Sequence, residues 1–420
     1  MHIVIIGGGA AGFMAAITAA ESFPGSKVTV LEKSGKVLSK VRISGGGRCN
    51  VTHQPSSANH FAKNYPRGEK FLKSILSVFS ADDTVSWFES RGARLKTEPD
   101  GRMFPVTDSS DTIIHCLMEN ARKKGVEVRT GIGVHSFEKT GDQFQLEIRN
   151  ESRNNELRSS DASRIMADRV IIATGGAPKL QGFDWLAEHR HPIIHPVPSL
   201  FTFNTPESYL LPLAGVSVQH AKVSIPNTSL KSEGPLLITH WGFSGPAILR
   251  LSAWGARELA GSDYRFMVRI NWTGGSHFDQ VRETLYGLKS SFPKQQLAAH
   301  AQYNLPARLW RLLAEKAGIT GELRLADTPH KSLNKLAMLL TDGTFDVSGK
   351  TTFKEEFVTC GGVSLECIDP KTMESRNVKG LFFAGEVIDV DGITGGFNFQ
   401  NAWSTGFIAG KHAGLEEIAG

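Results

Sequence analysis

The stretch Met1-His-Ile-Val-Ile-Ile-Gly-Gly-Gly-Ala-Ala-Gly12, taken up again at Val28-Thr-Val-Leu-Glu-Lys33, decides the fold. Residues 2–6 are apolar and rich in β-branched side chains, as a strand buried inside a parallel sheet must be. Gly7-x-Gly9-x-x-Gly12 comes at once after them. A helical run over 10–22 stops before Pro24-Gly25, and a second apolar strand over 27–31 closes on Glu32, twenty residues after Gly12. Gly7 permits the tight turn, Gly9 lets the backbone approach a pyrophosphate, and Gly12 lets helix and strand pack closely. The unpaired N–H groups at the helix start face the phosphates, and Glu32 accepts hydrogen bonds from a ribose diol. A lone GxGxxG is weak evidence. Strand, glycines, helix, strand and acid in this order point to dinucleotide binding.

The chain has 420 residues, enough for two or three domains, with 40% hydrophobic and 21% charged residues, the profile of a globular protein. Its net charge of +5 is mild, and tolerates acidic partners without demanding them. Cys49, Cys116, Cys360 and Cys367 are scattered without CxxC or zinc spacing, so a reducing cytoplasm is expected and no metal site is. A strand at residue 2, with no basic leader, argues against a secretory signal. No apolar run is long enough to span a bilayer, and no membrane association is expected.

Further along, residues 33–40 form a basic connector and 41–52 a glycine-rich loop that needs unusual dihedrals. Helices are predicted at 81–91 and 110–124, with a hairpin over 94–106 between them. Strands are predicted at 126–130, 144–148 and 168–172, with an exposed polar turn over 150–164. Pro192 to Pro198 reads as a domain boundary. Residues 199–272 alternate as a β-rich segment, and 278–340 carry four helical runs. Strands return at 357–364 and 380–384, and a helix over 396–413 ends the pattern. The predicted domains are therefore 1–192 and 346–420, two parts of one nucleotide-binding domain, with 193–345 inserted. No second GxGxxG precedes a strand and acid, which separates this chain from reductases carrying a dedicated nicotinamide domain.

Ala173-Thr-Gly-Gly176 and Leu381-Phe-Phe-Ala-Gly-Glu386 each place glycines directly after a strand. In a doubly wound sheet such recurrences mark the walls of one crevice beyond the strand ends. Gly392-Ile-Thr-Gly-Gly-Phe-Asn-Phe-Gln400 opens the last helix and offers another set of N–H donors, able to stabilise negative charge on a reduced flavin. Together the three favour FAD over NAD.

Ser44-Gly-Gly-Gly-Arg-Cys-Asn50, Thr359-Cys-Gly-Gly-Val363 and Gly385 to Asn398 resemble the BaiN/RdsA family of flavoproteins over nearly the whole chain. The resemblance implies an α/β fold: a discontinuous, glutathione-reductase-like FAD-binding Rossmann domain with an inserted β-rich plus helical domain. The cofactor-binding candidates are Gly7, Gly9, Ala10, Ala11, Gly12, Glu32, Lys33, Lys40, Ser44, Gly45, Gly46, Val134, Ala173, Thr174, Gly175, Gly385, Glu386, Gly395, Gly396, Phe397 and Asn398. Phe397 departs from the family, which commonly has tyrosine there, so a hydroxyl at that point is not essential. The implied activity is an FAD-dependent oxidoreductase reducing an activated C=C bond, in a small enone or in a uracil of ribosomal RNA. NAD(P)H would be a transient electron donor. The rival readings are an oxygen-using amine oxidase and a non-catalytic flavin redox sensor.

Cys49 and Arg48 are the catalytic candidates. Beside an arginine, Cys49 could be a proton donor or nucleophile, or a buried residue that packs the loop. Arg48 is an anion clamp for substrate or a structural partner for loop carbonyls. His189, His191 and His195 read as surface or hinge histidines. His240-Trp-Gly-Phe-Ser-Gly-Pro246 reads as a structural turn or a substrate-side loop. Lys63, Tyr65, Arg67, Lys70, Phe71 and Lys73 form a basic stretch interleaved with aromatics, which could track phosphates and stack unpaired bases.

Overall fold

A computed structural model describes residues 1–151, 163–352 and 358–415. Much of the predicted turn over 150–164 lies outside the described residues. The chain divides into two compact units, Met1–Ser199 with Phe353–Gly420, and Leu200–Thr352.

The first unit is built on a five-stranded parallel sheet. Strand β1 (His2–Ile6) lies between Arg169–Ile172 and β2 (Lys27–Glu32); Leu381–Phe383 and Glu127–Thr130 form the edges. Ile3, Val4 and Ile5 are fully buried, which explains the unbroken apolar run. Between β1 and β2 runs helix α1 (Ala10–Ser22). The last helix, Phe397–His412, packs along α1. A Cβ on Gly406 or Gly410 would stand 2.5 or 2.4 Å from the carbonyl oxygen of Ala11 or Ala15. Two glycines one turn apart thus bring the two backbones together. An antiparallel meander, Ile132–Thr140, Gln143–Asn150 and Ser163–Ala167, completes one side. Its first strand, which carries Val134, is missing from the sequence expectation.

Two expectations differ from the structure. The boundary expected at Pro192 to Pro198 lies a few residues later, between Ser199 and Leu200: Ile193–Ser199 is a strand paired antiparallel with Val358–Val363 inside the first unit. Pro196 falls in the register shift between Ile194 and Val197, and Pro198, paired opposite Thr359, is tolerated because each strand of this two-stranded sheet is an edge. The stretch expected as a loop from residue 41 is helical at first, since helix α2 spans Ser39–Gly47 with a kink at Ser44, Gly45 and Gly46.

The second unit contains a seven-stranded sheet with Thr202–Asn204, Ser217–Ser224, Lys231–Ile238, Gly242–Ser244, Arg265–Asn271, Gly343–Ser348 and Lys350–Thr351. Helices Pro246–Trp254 and Ala256–Gly261 interrupt the segment expected to be β. Helices Phe278–Ser291, Ala307–Lys316 and His330–Thr341 form the helical part. Its core includes Trp272, Trp310, Phe203 and Leu336.

Candidate functional site

The crevice of the first unit forms where the parallel strands end. Gly7 N–H donates to Leu31 O and Leu38 N–H to Gly8 O, both at 2.8 Å, so the glycine turn is locked to β2 and to the connector beyond it. Glu32 is tied on both oxygens: Gly8 N–H donates to Oε2 and Ser34 N–H to Oε1, each at 2.8 Å. Half-buried, the carboxylate keeps lone pairs for a further donor. Lys33 beside it is exposed. A Cβ on Gly12 would fall 1.9 Å from Gly7 O, so this glycine serves helix–strand packing.

Gly9 behaves differently. It caps α1 without a side-chain cap bond, and an added Cβ would meet no atom within 4 Å. The first turn, with half-buried Ala10 and buried Ala11, therefore opens toward free space with its N–H dipoles aimed outward. Gly46 and Gly175 likewise face space that a Cβ would fill. Ala173 and Thr174 abut Gly7, whose Cβ would stand 2.3 Å from Ala173 O and 2.9 Å from Thr174 Cα. Gly385 abuts Ala11 in the same way, at 2.8 Å between the two Cβ positions. Three distant glycine segments thus converge, as three strand ends in one sheet require. Val134 lies on the strand after Gly131, whose N–H donates to Ser34 O at 2.9 Å.

Lys40 Nζ donates to Glu386 Oε2 at 2.7 Å, and Glu386 Oε1 accepts from Thr359 N–H at 2.8 Å. Thr359 Oγ1 is buried without a partner, next to Gly176, where a Cβ would approach it to 2.3 Å. Along the chain Lys40 and Glu386 are two unconnected candidates. Their ion pair across the crevice wall depends on tertiary structure alone.

The Ser44–Asn50 loop holds Gly45, Gly46 and Gly47 at φ 59, 70 and 85, and Cys49 at φ 62. The expectation of unusual dihedrals is met by an αL run. Ser44 Oγ donates to Val41 O at 3.1 Å, and Cys49 N–H to Ser44 O at 2.9 Å. Cys49 is fully buried, and burial pushes its thiol up to about 12. Such a thiol is sealed from solvent and stays protonated, which supports its packing role over a reactive one. Arg48 is already matched: Nη1 donates to Glu98 Oε1 at 2.6 Å and reaches Asp108 Oδ1 at 3.4 Å, and its guanidinium covers Phe104 at 3.9 Å. The Glu98 hydrogen bond raises it further above the ordinary arginine value. That geometry supports a structural partner, though one facing carboxylates more than loop carbonyls.

At the start of the last helix, Gly395 and Gly396 stand at φ 126 and 92. Asn50, oriented to satisfy its neighbours, accepts from Gly396 N–H and donates to Thr52 O, both at 3.0 Å. Asn398 clamps Gly392 from both sides, accepting its N–H at 2.8 Å and donating to its carbonyl at 2.9 Å. Phe397 is buried, stacked on His53 at 4.8 Å and edge-on to Phe61 and Tyr65.

The basic, aromatic stretch is corrected by its burial. Tyr65 is 1% exposed and donates through its hydroxyl to Phe397 O at 2.7 Å; Arg67 turns inward onto Asp391. Of the six, only Lys63 and Lys70 are exposed, while Phe71 is half-buried and Lys73 pairs with Glu69 at 3.2 Å. A stacking platform needs aromatic faces in solvent, and Tyr65 has none. Of the three histidines His191 differs from expectation: it is buried, bonded to Ser375 Oγ at 2.7 Å, with burial lowering its pKa, whereas His195 is exposed and half-buried His189 stacks on Phe137 at 3.8 Å. His240 is exposed on the second unit. Among the described residues no group of three or more His, Cys, Asp or Glu is arranged to hold a metal, and no helix is long and apolar enough to cross a membrane.

Against known families, residues 1–412 match the model described as HI0933-like protein Rossmann domain. The chain belongs to this family. It is a BaiN/RdsA flavoprotein, and its class is FAD-dependent oxidoreductase. It is 30% identical to a Haemophilus influenzae ribosomal RNA dihydrouridine synthase, over 96% of each chain. It is 28% identical to a Clostridium scindens 3-dehydro-bile acid delta(4,6)-reductase, over 98% of each. Among solved structures, E. coli quinol fumarate reductase FrdA superposes with a TM-score of 0.51 at 15% identity, covering 98% of this chain and 70% of that one. The 3-ketosteroid delta1-dehydrogenase of Sterolibacterium denitrificans gives 0.51 at 12% identity, covering 98% of both. These structural likenesses concern the fold alone.

The residues present fit FAD. The open cradle at Gly9, Gly46 and Gly175, the uncapped start of α1 and the fixed Glu32 carboxylate are what a dinucleotide with two phosphates and a ribose diol requires.

Proposed function

We propose that this flavoprotein reduces a carbon–carbon double bond conjugated to a carbonyl, and that the double bond belongs to a uracil in ribosomal RNA. The observation that carries the cofactor part is the cradle around Gly9, open where a side chain would fill it. The substrate part is supported by two relatives named ribosomal RNA dihydrouridine synthase, each 30% identical over nearly their full length. A small enone is the second reading, supported by the relative named as a bile-acid reductase. Both substrates present the same conjugated bond, so one chemistry serves either.

Bound FAD would supply the hydride from its N5. The chain's part is to bind, orient and keep water out. The first turn of α1 would hold the pyrophosphate and Glu32 the ribose. Lys40, Ser44, Gly45, Gly46, Thr174, Glu386, Gly395, Gly396 and Asn398 belong to the segments that border the same crevice. A proton must reach the second carbon. A general acid works best with a pKa near the working pH, and a thiol held at about 12 is far from it. The proton is therefore assigned to water or to a side chain other than Cys49. NAD(P)H is proposed as a transient electron donor, since the sequence carries one dinucleotide fingerprint.

The test has two parts. Denaturing the yellow protein should release FAD and no FMN. Deleting the gene should remove a dihydrouridine from the ribosomal RNA map, and the wild-type gene should restore it. An unchanged map in the deletion strain removes RNA as substrate. Anaerobic mixing of the reduced protein with enones and with unmodified ribosomal RNA then separates the two readings. RNA binding should weaken steeply with salt, whereas an enone should respond little.

A further inference from the structure

The loop over 391–398 is pinned along its length. Gly392 O accepts from Asn398 Nδ2 at 2.9 Å, Gly395 O lies 3.1 Å from His53 Nδ1, and Phe397 O accepts from the Tyr65 hydroxyl at 2.7 Å. At its beginning stands Asp391, whose side chain is 0% exposed. Arg67 grips both carboxylate oxygens: Nε donates to Oδ1 at 2.6 Å, and Nη2 donates to Oδ2. Ser199 Oγ donates to the same Oδ2 at 2.6 Å. Residues 67 and 391 also form a backbone bridge, and a Cβ on Gly68 would strike Val390 Cγ2 at 2.5 Å.

A buried ion pair is a poor device for stability alone, because desolvation offsets much of the attraction and apolar residues of similar size would serve as well. Its better-attested use is to specify register. The bidentate fork of arginine matches a carboxylate in one geometry only. Burial pushes the Asp391 carboxyl above the ordinary aspartate value, and Arg67 opposes that rise. A slip by one residue would leave the charge unpaired. Asp391 therefore holds residues 392–396 at one height relative to the segment 53–67.

We infer that Asp391 is a positioning residue for the bound flavin: gripped by Arg67 and Ser199, it sets the register of residues 392–396 and so the direction of the last helix's N-terminus. Asn50 takes the Gly396 N–H, and Gly396 itself offers no side-chain cap, which leaves the dipole of the first turn beyond it facing a ligand. The inference rests on the FAD reading above.

The experiment uses the purified holoprotein and the variants Ser199→Ala, Arg67→Lys and Asp391→Asn. Ser199→Ala removes one hydrogen bond, and Arg67→Lys keeps the charge while losing the fork. FAD content, thermal melting, visible circular dichroism of bound FAD and its oxidised–reduced equilibrium are measured together. Ser199→Ala and Arg67→Lys should keep FAD at full stoichiometry, change the visible dichroism and move the redox equilibrium by roughly tenfold, about 30 mV for a two-electron couple. Asp391→Asn should move both further. Variants that melt lower but leave dichroism and equilibrium at wild-type values would overturn the inference. If Arg67→Lys or Asp391→Asn fails to fold, Ser199→Ala decides. A wild type that holds no FAD defeats the cofactor reading; a wild type that holds it, with unshifted variants, defeats only this one.

Discussion

Gly9 and Gly396 each cap a helix of the nucleotide-binding unit, for opposite reasons. Gly9 caps α1 in an ordinary extended conformation, φ −89 and ψ −168, and a Cβ there would touch nothing within 4 Å. Gly396 caps the last helix at φ 92, and a Cβ there would stand 2.5 Å from the carbonyl of Thr52. At Gly9 the missing side chain leaves room for a molecule outside the chain. At Gly396 it leaves room for the chain itself, and the backbone angle would strain any other residue. A glycine motif read along a sequence mixes both kinds. Only their surroundings separate them.

The sharpest way to break this comparison is to put the same methyl group at both positions. Gly396→Ala should be the more damaging: left-handed strain and a backbone collision together cost on the order of 3 kcal/mol, enough to lower soluble yield and the melting temperature. A melt unchanged from wild type would show that the loop relaxes freely. Glu32→Ala sharpens the ligand side of the comparison. Losing a charge-assisted acceptor should weaken FAD binding by about 1.5–3 kcal/mol, measured by titrating apoprotein. Unchanged affinity would remove Glu32 from the cofactor's ribose.

Gly9→Ala should do the reverse of Gly396→Ala, leaving the melt within about 1 kcal/mol of wild type while FAD affinity falls roughly tenfold. Equal affinity with a lowered melt would mean that Gly9, too, serves only the fold. The smallest effect is expected at Cys49, which packs beneath the loop leading to Gly396's partners Asn50 and Thr52. Cys49→Ala should cost about 1 kcal/mol of stability and leave reoxidation of the reduced flavin by substrate within a few-fold of wild type. A slowing of about 10²-fold, with flavin reduction intact, would restore Cys49 as the proton donor.

The βαβ fingerprint was legible in the sequence because its information is local. The two unbroken apolar runs, the helical run between them, the glycine spacing and the acid at Glu32 all lie within one crossover, and β1, α1 and β2 appear where those patterns put them. The strands ending at Ile172 and Phe383 were legible for the same reason. What the sequence could not determine is which side chains face each other from distant segments. Lys40 meets Glu386, and Arg67 meets Asp391, across more than three hundred residues of chain. Nothing in the local pattern of residues 63–73 distinguishes an arginine that turns inward from lysines that stay in water. Cys49 carries the same lesson. Beside Arg48 in sequence it looks activated, yet the fold commits that guanidinium to Glu98 and Asp108 and seals the thiol from water. Charge and burial act through space, so the sequence alone determined the cradle for a dinucleotide, and the tertiary structure decided which polar groups are buried, paired and held around it.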